Sequence, residues 1–409
     1  MKGKKRVNQS EPEQFLAFSD TLFTYHGGVL DYTDNLALQL QAVGKLKTAV
    51  APEIGAIDRP YSIEEFPIRT QRKSSRLDKF PPLSKLITLF YVINLYRSAY
   101  FGMKRLLKKH TGVTILFTEY YSEHFDVILT CARWQKVPYA IVFHGLDIIC
   151  ARQKMFKHFK KNYEGARFII YNSEATKQLC RSLFKFSHKQ ELILHPGLNV
   201  STIEENCRNI SAVAPATGQN QRKVVFTTIS RLVKRKGVDL AIRMIKELKD
   251  RHSDIELIYY IAGTGLESES LKQLIQQLDA GLYIKMLGNI SEEDKYKLLQ
   301  QSDFFLMPTH SAGDLDFEGF GISFIEASLF GNVVIGGTHG GVKEAVVHDH
   351  TGYLFDFDKK ESIHLAVKTI ENCINQPGLM DSIKNQGIEY VRKNYDWNNL
   401  IKRFLEFRN

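Results

Sequence analysis

Gly313-Asp314-Leu315-Asp316-Phe317-Glu318-Gly319-Phe320-Gly321-Ile322-Ser323-Phe324-Ile325-Glu326-Ala327 follows the apolar run Phe304–Pro308 and leads into a helical pattern that starts near Ile322. A short apolar run, a glycine-bearing loop and then a 3.6-residue period make the βα unit of a parallel sheet. Gly319, Phe320 and Gly321 would bring backbone N–H groups to a helix N-terminus, a setting that suits hydroxyls or anionic oxygens of a ligand. Glu318 stands in the loop and Glu326 a turn or more inside the helix. Each carboxylate can accept two hydrogen bonds from vicinal hydroxyls, so the pair could hold a sugar and a ribose together. The plainer alternative is a helix cap for Glu318 and a solvated face for Glu326.

The same unit repeats along the chain. Strand-like runs in the first half are Phe15–Ser19, Thr48–Ala51, Thr114–Thr118, Ala140–Phe143, Phe168–Tyr171 and Leu192–Leu194. In the second half they are Val224–Ile229, Glu256–Ala262, Ile284–Leu287, Phe304–Pro308, Val333–Gly336 and Gly352–Phe355. Alternation with helical patterns predicts an α/β fold of two doubly wound, Rossmann-like domains, which the 409 residues are long enough to support. The expected division is 1–200 for a first domain, 201–222 for a polar linker, 223–385 for a second domain and 386–409 for a C-terminal helix. That helix either crosses back to the first domain or packs on its own. Facing sheets would put both sets of strand ends at a central cleft, where open α/β sheets bind ligands.

Composition narrows the class. With 44% hydrophobic residues the chain is globular, and 55 Lys and Arg against 45 Asp and Glu give a net charge of +10. The excess gathers at Arg69, Arg72, Lys73, Arg76, Lys79 and Lys85, then at Arg97, Lys104, Arg105, Lys108 and Lys109, and it predicts an attraction to phosphate. Interleaved with Phe80, Leu86, Phe90, Tyr91, Tyr100 and Phe101, the stretch Arg69 to Lys109 reads as a surface for an anionic membrane or as a helix with a solvated basic face. No aromatic RNA-binding signature or zinc module accompanies it, so nucleic acid is not the expected partner. Five scattered cysteines without a CxxC pair, and a basic N-terminus without an apolar signal core, lead us to expect a cytoplasmic protein.

Other loops that close strands carry candidate ligand groups. Ser230-Arg231-Leu232-Val233-Lys234-Arg235-Lys236-Gly237 follows the first strand of the second half, and Arg231 with Lys236 forms a cationic pair able to neutralise a diphosphate. Gly263 and Gly265 follow the next strand, and Gly340-Gly341-Val342-Lys343-Glu344 a later one. In the first half, Gly27 and Gly28 would bring backbone amides near phosphates or hydroxyls of a ligand, or form an ordinary glycine turn. His144-Gly145-Leu146-Asp147 follows Ala140–Phe143. A histidine at the carboxyl end of a strand, followed by glycine, is a candidate for the reacting centre.

These stretches, in this order, resemble the GT-B-fold glycosyltransferases of family 4, whose donor-site pattern is two glutamates separated by seven residues. Glu318 and Glu326 match that spacing, and Phe304 through Glu326 resembles the bacterial phosphatidylinositol mannoside mannosyltransferases. Lys343 departs from the commonest pattern, in which proline precedes the glutamate. The resemblance implies a retaining glycosyltransferase with a UDP- or GDP-linked sugar as co-substrate and no metal or other cofactor. It implies that Arg231 and Lys236 bind the diphosphate, Glu318 orients the sugar, Glu326 grips the ribose and His144 sits beside the reacting sugar. The leaving phosphate is expected to help deprotonate the acceptor, a glycan, a lipid-linked glycan or a small molecule. Asp314-Leu315-Asp316 has the form of a DxD metal motif, but no third carboxylate or histidine clusters with it, and a surface loop is expected. A nucleotide-sugar epimerase or phosphorylase on the same fold, or a non-catalytic basic binding protein, would share parts of this pattern.

Overall fold

The computed structural model describes residues 13–19, 27–52, 59–68, 81–153, 158–208, 223–252, 255–311, 313 and 316–408. Seven strands form the first sheet: β1 (Gln14–Phe18), β2 (Leu46–Ala51), β3 (Ile63–Glu65), β4 (Val113–Phe117), β5 (Tyr139–Phe143), β6 (Phe168–Tyr171) and β7 (Glu191–Ile193), in the order β3-β2-β1-β4-β5-β6-β7. Six form the second: β8 (Lys223–Ile229), β9 (Glu256–Ala262), β10 (Ile284–Gly288), β11 (Phe304–Met307), β12 (Val333–Gly337) and β13 (Gly352–Phe355), in the order β10-β9-β8-β11-β12-β13. The second sheet is parallel throughout.

The apolar runs become strands because both faces of the sheet are covered. In β11, Phe304 and Leu306 enter one apolar cluster while Phe305 and Met307 enter another; in β12, Val333 and Ile335 separate from Val334 in the same way. A strand buried on both faces needs continuous rather than alternating apolar residues. β3 lies outside this signal. Its three residues Ile63-Glu64-Glu65 sit at the sheet edge beside β2, where one face and one side remain available to water.

By its internal packing the chain divides into two units: 1–143, 150–170 and 186–192 form one, and 144–149, 171–185 and 193–409 form the other. The segments 144–149 and 171–185 thus go with the later sheet. Residues 201–208, the start of the expected linker, lie in the helix Val200–Arg208, whose Val200 and Ile203 are buried, with Cys207 packed beside them. Two helices, Pro377–Asn394 and Trp397–Arg408, end the chain. At the break between them Tyr395 O accepts from Leu198 N at 2.7 Å and Trp397 N donates to Leu198 O at 3.0 Å.

Candidate functional site

From β8 the chain of the second sheet steps outward to β9 and β10, then returns to build β11, β12 and β13 on the other side. In an open parallel sheet such a reversal parts the loops on either side of it and leaves a crevice at the carboxyl ends of the strands. The loops concerned are 230–237 after β8 and 308–321 after β11, which carry Arg231, Lys236 and Glu318.

Backbone geometry brings these loops together. Lys234–Lys236 forms a turn of 3₁₀ helix that ends at Gly237, with φ of 63°, before the helix Val238–Arg251. A Cβ on Gly237 would stand 2.1 Å from Pro308 O, so only glycine admits the second loop this close in this conformation. His310 N donates to Arg235 O at 3.0 Å, a second tie between the loops.

Glu318 is the centre of the arrangement. It is 6% exposed, and its Oε2 takes both Lys236 Nζ at 2.7 Å and Arg235 Nε at 3.2 Å. Arg235 Nη1 extends to Asp316 Oδ1 at 2.8 Å. Burial would raise the Glu318 carboxyl, but the charges of Lys236 and Arg235 prevail and hold it at about 2. Burial pulls the Lys236 ammonium below its ordinary value against the attraction of Glu318, and the positive charges of Arg235 and Arg231 pull the same way. Among the described residues Glu318 Oε1 accepts no hydrogen bond. A buried carboxylate therefore stays ionised with one oxygen occupied and the other available.

Buried polar atoms without partners stand on the surrounding loops: Ser230 Oγ after β8, Thr309 Oγ1 and His310 Nε2 after β11, and His339 Nε2 after β12. Such groups are costly to leave unsatisfied, and they are of the kind that hydroxyls or anionic oxygens of a ligand can pair with. Among the described residues no three His, Cys, Asp or Glu gather as a metal site; Asp314 and Leu315 lie outside the described residues.

Arg231 is exposed on the β8 loop, near enough for its charge to act on Lys236. The cation that joins Lys236 on Glu318 is Arg235, for which the sequence suggested no role. Glu326 lies on the helix Ile322–Leu329 and pairs with Lys295 Nζ at 2.7 Å. Gly263 and Gly265 pack against the carbonyls of Ser230 and Leu232, seating the β9 loop on the β8 loop. Gly319 lies against His144 O, 2.1 Å from where its Cβ would be, so His144 touches the glutamate loop through its main chain. Its amide donates to Asp147, whose carboxylate also receives Gly145 N and Ile148 N. Phe320 is 2% exposed, its ring packed between His195 and Tyr395. Gly27 and Gly28 belong to the first unit, exposed at the start of the helix Gly28–Ala42.

Glu344 has a different place. Its carboxylate accepts from Glu174 N at 2.7 Å, Ala175 N at 3.0 Å and His195 Nε2 at 2.9 Å, so it caps the helix Glu174–Phe184. Burial acts against its ionisation, yet these donors, His195 foremost, lower the carboxyl from its ordinary value. Neither Arg235 nor Lys295 carries a sequence signal beyond its neighbourhood: a cation next to Lys236 reads as part of a solvated run, and Lys295 lies on a helix far from any motif.

Residues 210–390 match the family model described as Glycosyl transferases group 1. A GDP-mannose-dependent alpha-(1-6)-phosphatidylinositol monomannoside mannosyltransferase of Mycolicibacterium smegmatis is 29% identical over 214 residues, 52% of this chain and 54% of that protein. The chain thus spans about half the length of this curated relative. Among solved structures, a glycosyltransferase from Rickettsia africae superposes with a TM-score of 0.71 at 16% identity, covering 97% of this chain and 98% of that one. The Anabaena protein HepE in complex with UDP gives 0.68 at 16% identity, covering 96% and 98%. The fold is the GT-B arrangement of two Rossmann-like parallel-sheet domains.

Proposed function

We propose, from the premise that residues 210–390 are a glycosyl transferases group 1 domain, that this protein transfers a hexose from a nucleotide-diphosphate sugar to a glycan or lipid-linked acceptor with retention of configuration. The observation that carries it is the ionised, buried Glu318 between Lys236 and Arg235 at the sheet reversal. Breaking the anomeric C–O bond builds positive charge on the sugar and negative charge on the departing diphosphate. Arg231 and Lys236 meet the second charge, aided by backbone amides at Gly319–Gly321, and fixed groups of this kind need little reorganisation. Glu318 orients the sugar through its hydroxyls, Glu326 holds the ribose in competition with Lys295, and His144 flanks the reacting carbon. The leaving phosphate takes the acceptor proton. Since these cations neutralise the diphosphate, no metal is needed.

GDP-mannose is the first donor to test, because the mycobacterial relative is named for it; the UDP bound to HepE keeps uridine donors in the comparison. A thermal-shift screen of GDP-mannose, UDP-glucose and their nucleotides should show stabilisation by one nucleotide family. Nucleotide release should then depend on an acceptor and survive EDTA. Absence of stabilisation by every nucleotide sugar would sink the proposal.

The acceptor class is supported by the helix Pro81–Lys109, the described part of the stretch Arg69 to Lys109, of which 69–80 lie outside the described residues. The helix carries six cations and no acid, and Leu86, Leu89, Phe90, Ile93 and Phe101 are 51–58% exposed along it. An exposed apolar stripe among cations fits an anionic bilayer surface. Among the described residues no helix is long and apolar enough to cross a membrane.

A further inference from the structure

We propose that Arg235 is a positioning residue for the donor sugar: it grips Glu318 by Oε2 and keeps Oε1 aimed at the sugar while Lys236 serves the diphosphate. This rests on the donor site proposed above.

Lys236 has one ammonium, and without ligand it lies on Glu318 Oε2. An arriving diphosphate competes for it with a higher charge than a single carboxylate. Were Lys236 the only cation, its departure would strand a carboxylate in a site that is 6% exposed. Such a group takes up a proton or is strongly destabilised. Arg235 removes that conflict. Nε holds Glu318 and Nη1 holds Asp316, two residues earlier in the same loop, while the Arg235 carbonyl receives His310 N. A guanidinium presents donors in a fixed planar fork and can hold two carboxylates at once, which an ammonium on a flexible stem cannot do with the same geometry. At 8% exposure and with both carboxylates engaged, Arg235 is committed to the protein rather than to a ligand. The charged and titratable groups around Glu318 are Arg235 and Lys236 from the β8 loop, with Arg231 acting through Lys236. Asp316 and His310 stand in the same loop as Glu318, and His339 on the loop after β12.

The test compares Arg235→Ala, Arg235→Lys and Asp316→Asn by calorimetric titration with GDP-mannose against GDP and with UDP-glucose against UDP, using whichever pair the wild type binds. Arg235→Ala should lose about tenfold in affinity for the sugar-bearing ligand, equivalent to ~1.4 kcal/mol, and less than about threefold for the bare nucleotide. Arg235→Lys should recover part of the loss, Asp316→Asn should show a smaller loss of the same kind, and the acid limb of the donor KM profile should move to higher pH in Arg235→Ala. Equal losses for both ligands would make Arg235 a phosphate ligand and overturn the inference, as would an unchanged ratio and pH profile. If Arg235→Ala does not fold, Arg235→Lys and Asp316→Asn decide by the same ratio. A wild-type protein that binds neither nucleotide nor nucleotide sugar overturns the donor site itself.

Discussion

Glu318 concentrates the electrostatics of the site, because one of its oxygens takes two cations while, among the described residues, the other accepts no hydrogen bond. Its carboxyl, ordinarily at 4.5 and held at about 2, is depressed in the folded protein. A depressed acid contributes stability that is complete above its unfolded value and is lost as pH falls from about 4.5 through about 2. Urea unfolding between pH 6 and pH 3 should therefore show an acid-side loss of stability that Glu318→Gln lacks. At pH 7 the same substitution leaves two buried cations facing an amide and should cost about 3 kcal/mol. A variant as stable as wild type at neutral pH, with the same acid limb, would mean that the three groups are not coupled as their distances indicate. The spacing of Glu318 and Glu326 is readable in the sequence, because both lie within one loop-and-helix stretch, Glu318 before the helix Ile322–Leu329 and Glu326 inside it. Their cations were not. Arg235 is adjacent to the expected Lys236, while Lys295 comes from another helix, and only folding brings it to Glu326.

At the level of elements, the site depends on two loops that approach more closely than side chains allow. Gly237 combines a left-handed φ of 63° with a Cβ position 2.1 Å from Pro308 O. Gly237→Ala should destabilise the protein by roughly 2 kcal/mol or more through conformational strain and through forcing the β8 and β11 loops apart. The denaturant midpoint would measure the first effect and donor affinity the second. A neutral outcome in both would show that the loops tolerate separation. Strand positions were well anticipated because burial on both faces writes itself as an unbroken apolar run, as in Phe304–Met307. The edge strand Ile63–Glu65 escaped because its residues meet water and carry charge. The helix Val200–Arg208 escaped because its Val200, Ile203 and Cys207 are widely spaced within polar residues, and their burial becomes apparent only against the second core.

For the whole molecule, the basic and apolar helix Pro81–Lys109 predicts where the protein works. Sedimentation with vesicles containing anionic lipid should be strong at low salt and weaken as salt screens the cations. Leu89→Asp with Phe90→Asp should abolish it while leaving unfolding unchanged, because both side chains are exposed. Equal sedimentation by the double variant, or by wild type with neutral vesicles, would remove this helix as the docking surface. From sequence alone came the α/β class, the two sheets and the resemblance of the later half to group 1 glycosyl transferases, which the match over residues 210–390 shares. All of these follow from local patterns: apolar runs, glycines at strand ends and charges at fixed spacing. Tertiary structure alone decided which cation meets which carboxylate, that Glu344 caps the helix Glu174–Phe184, and that 144–149 and 171–185 pack with the later sheet. Partners of that kind lie tens to hundreds of residues apart, and their choice depends on backbone approach and desolvation, neither of which leaves a periodic mark along the chain.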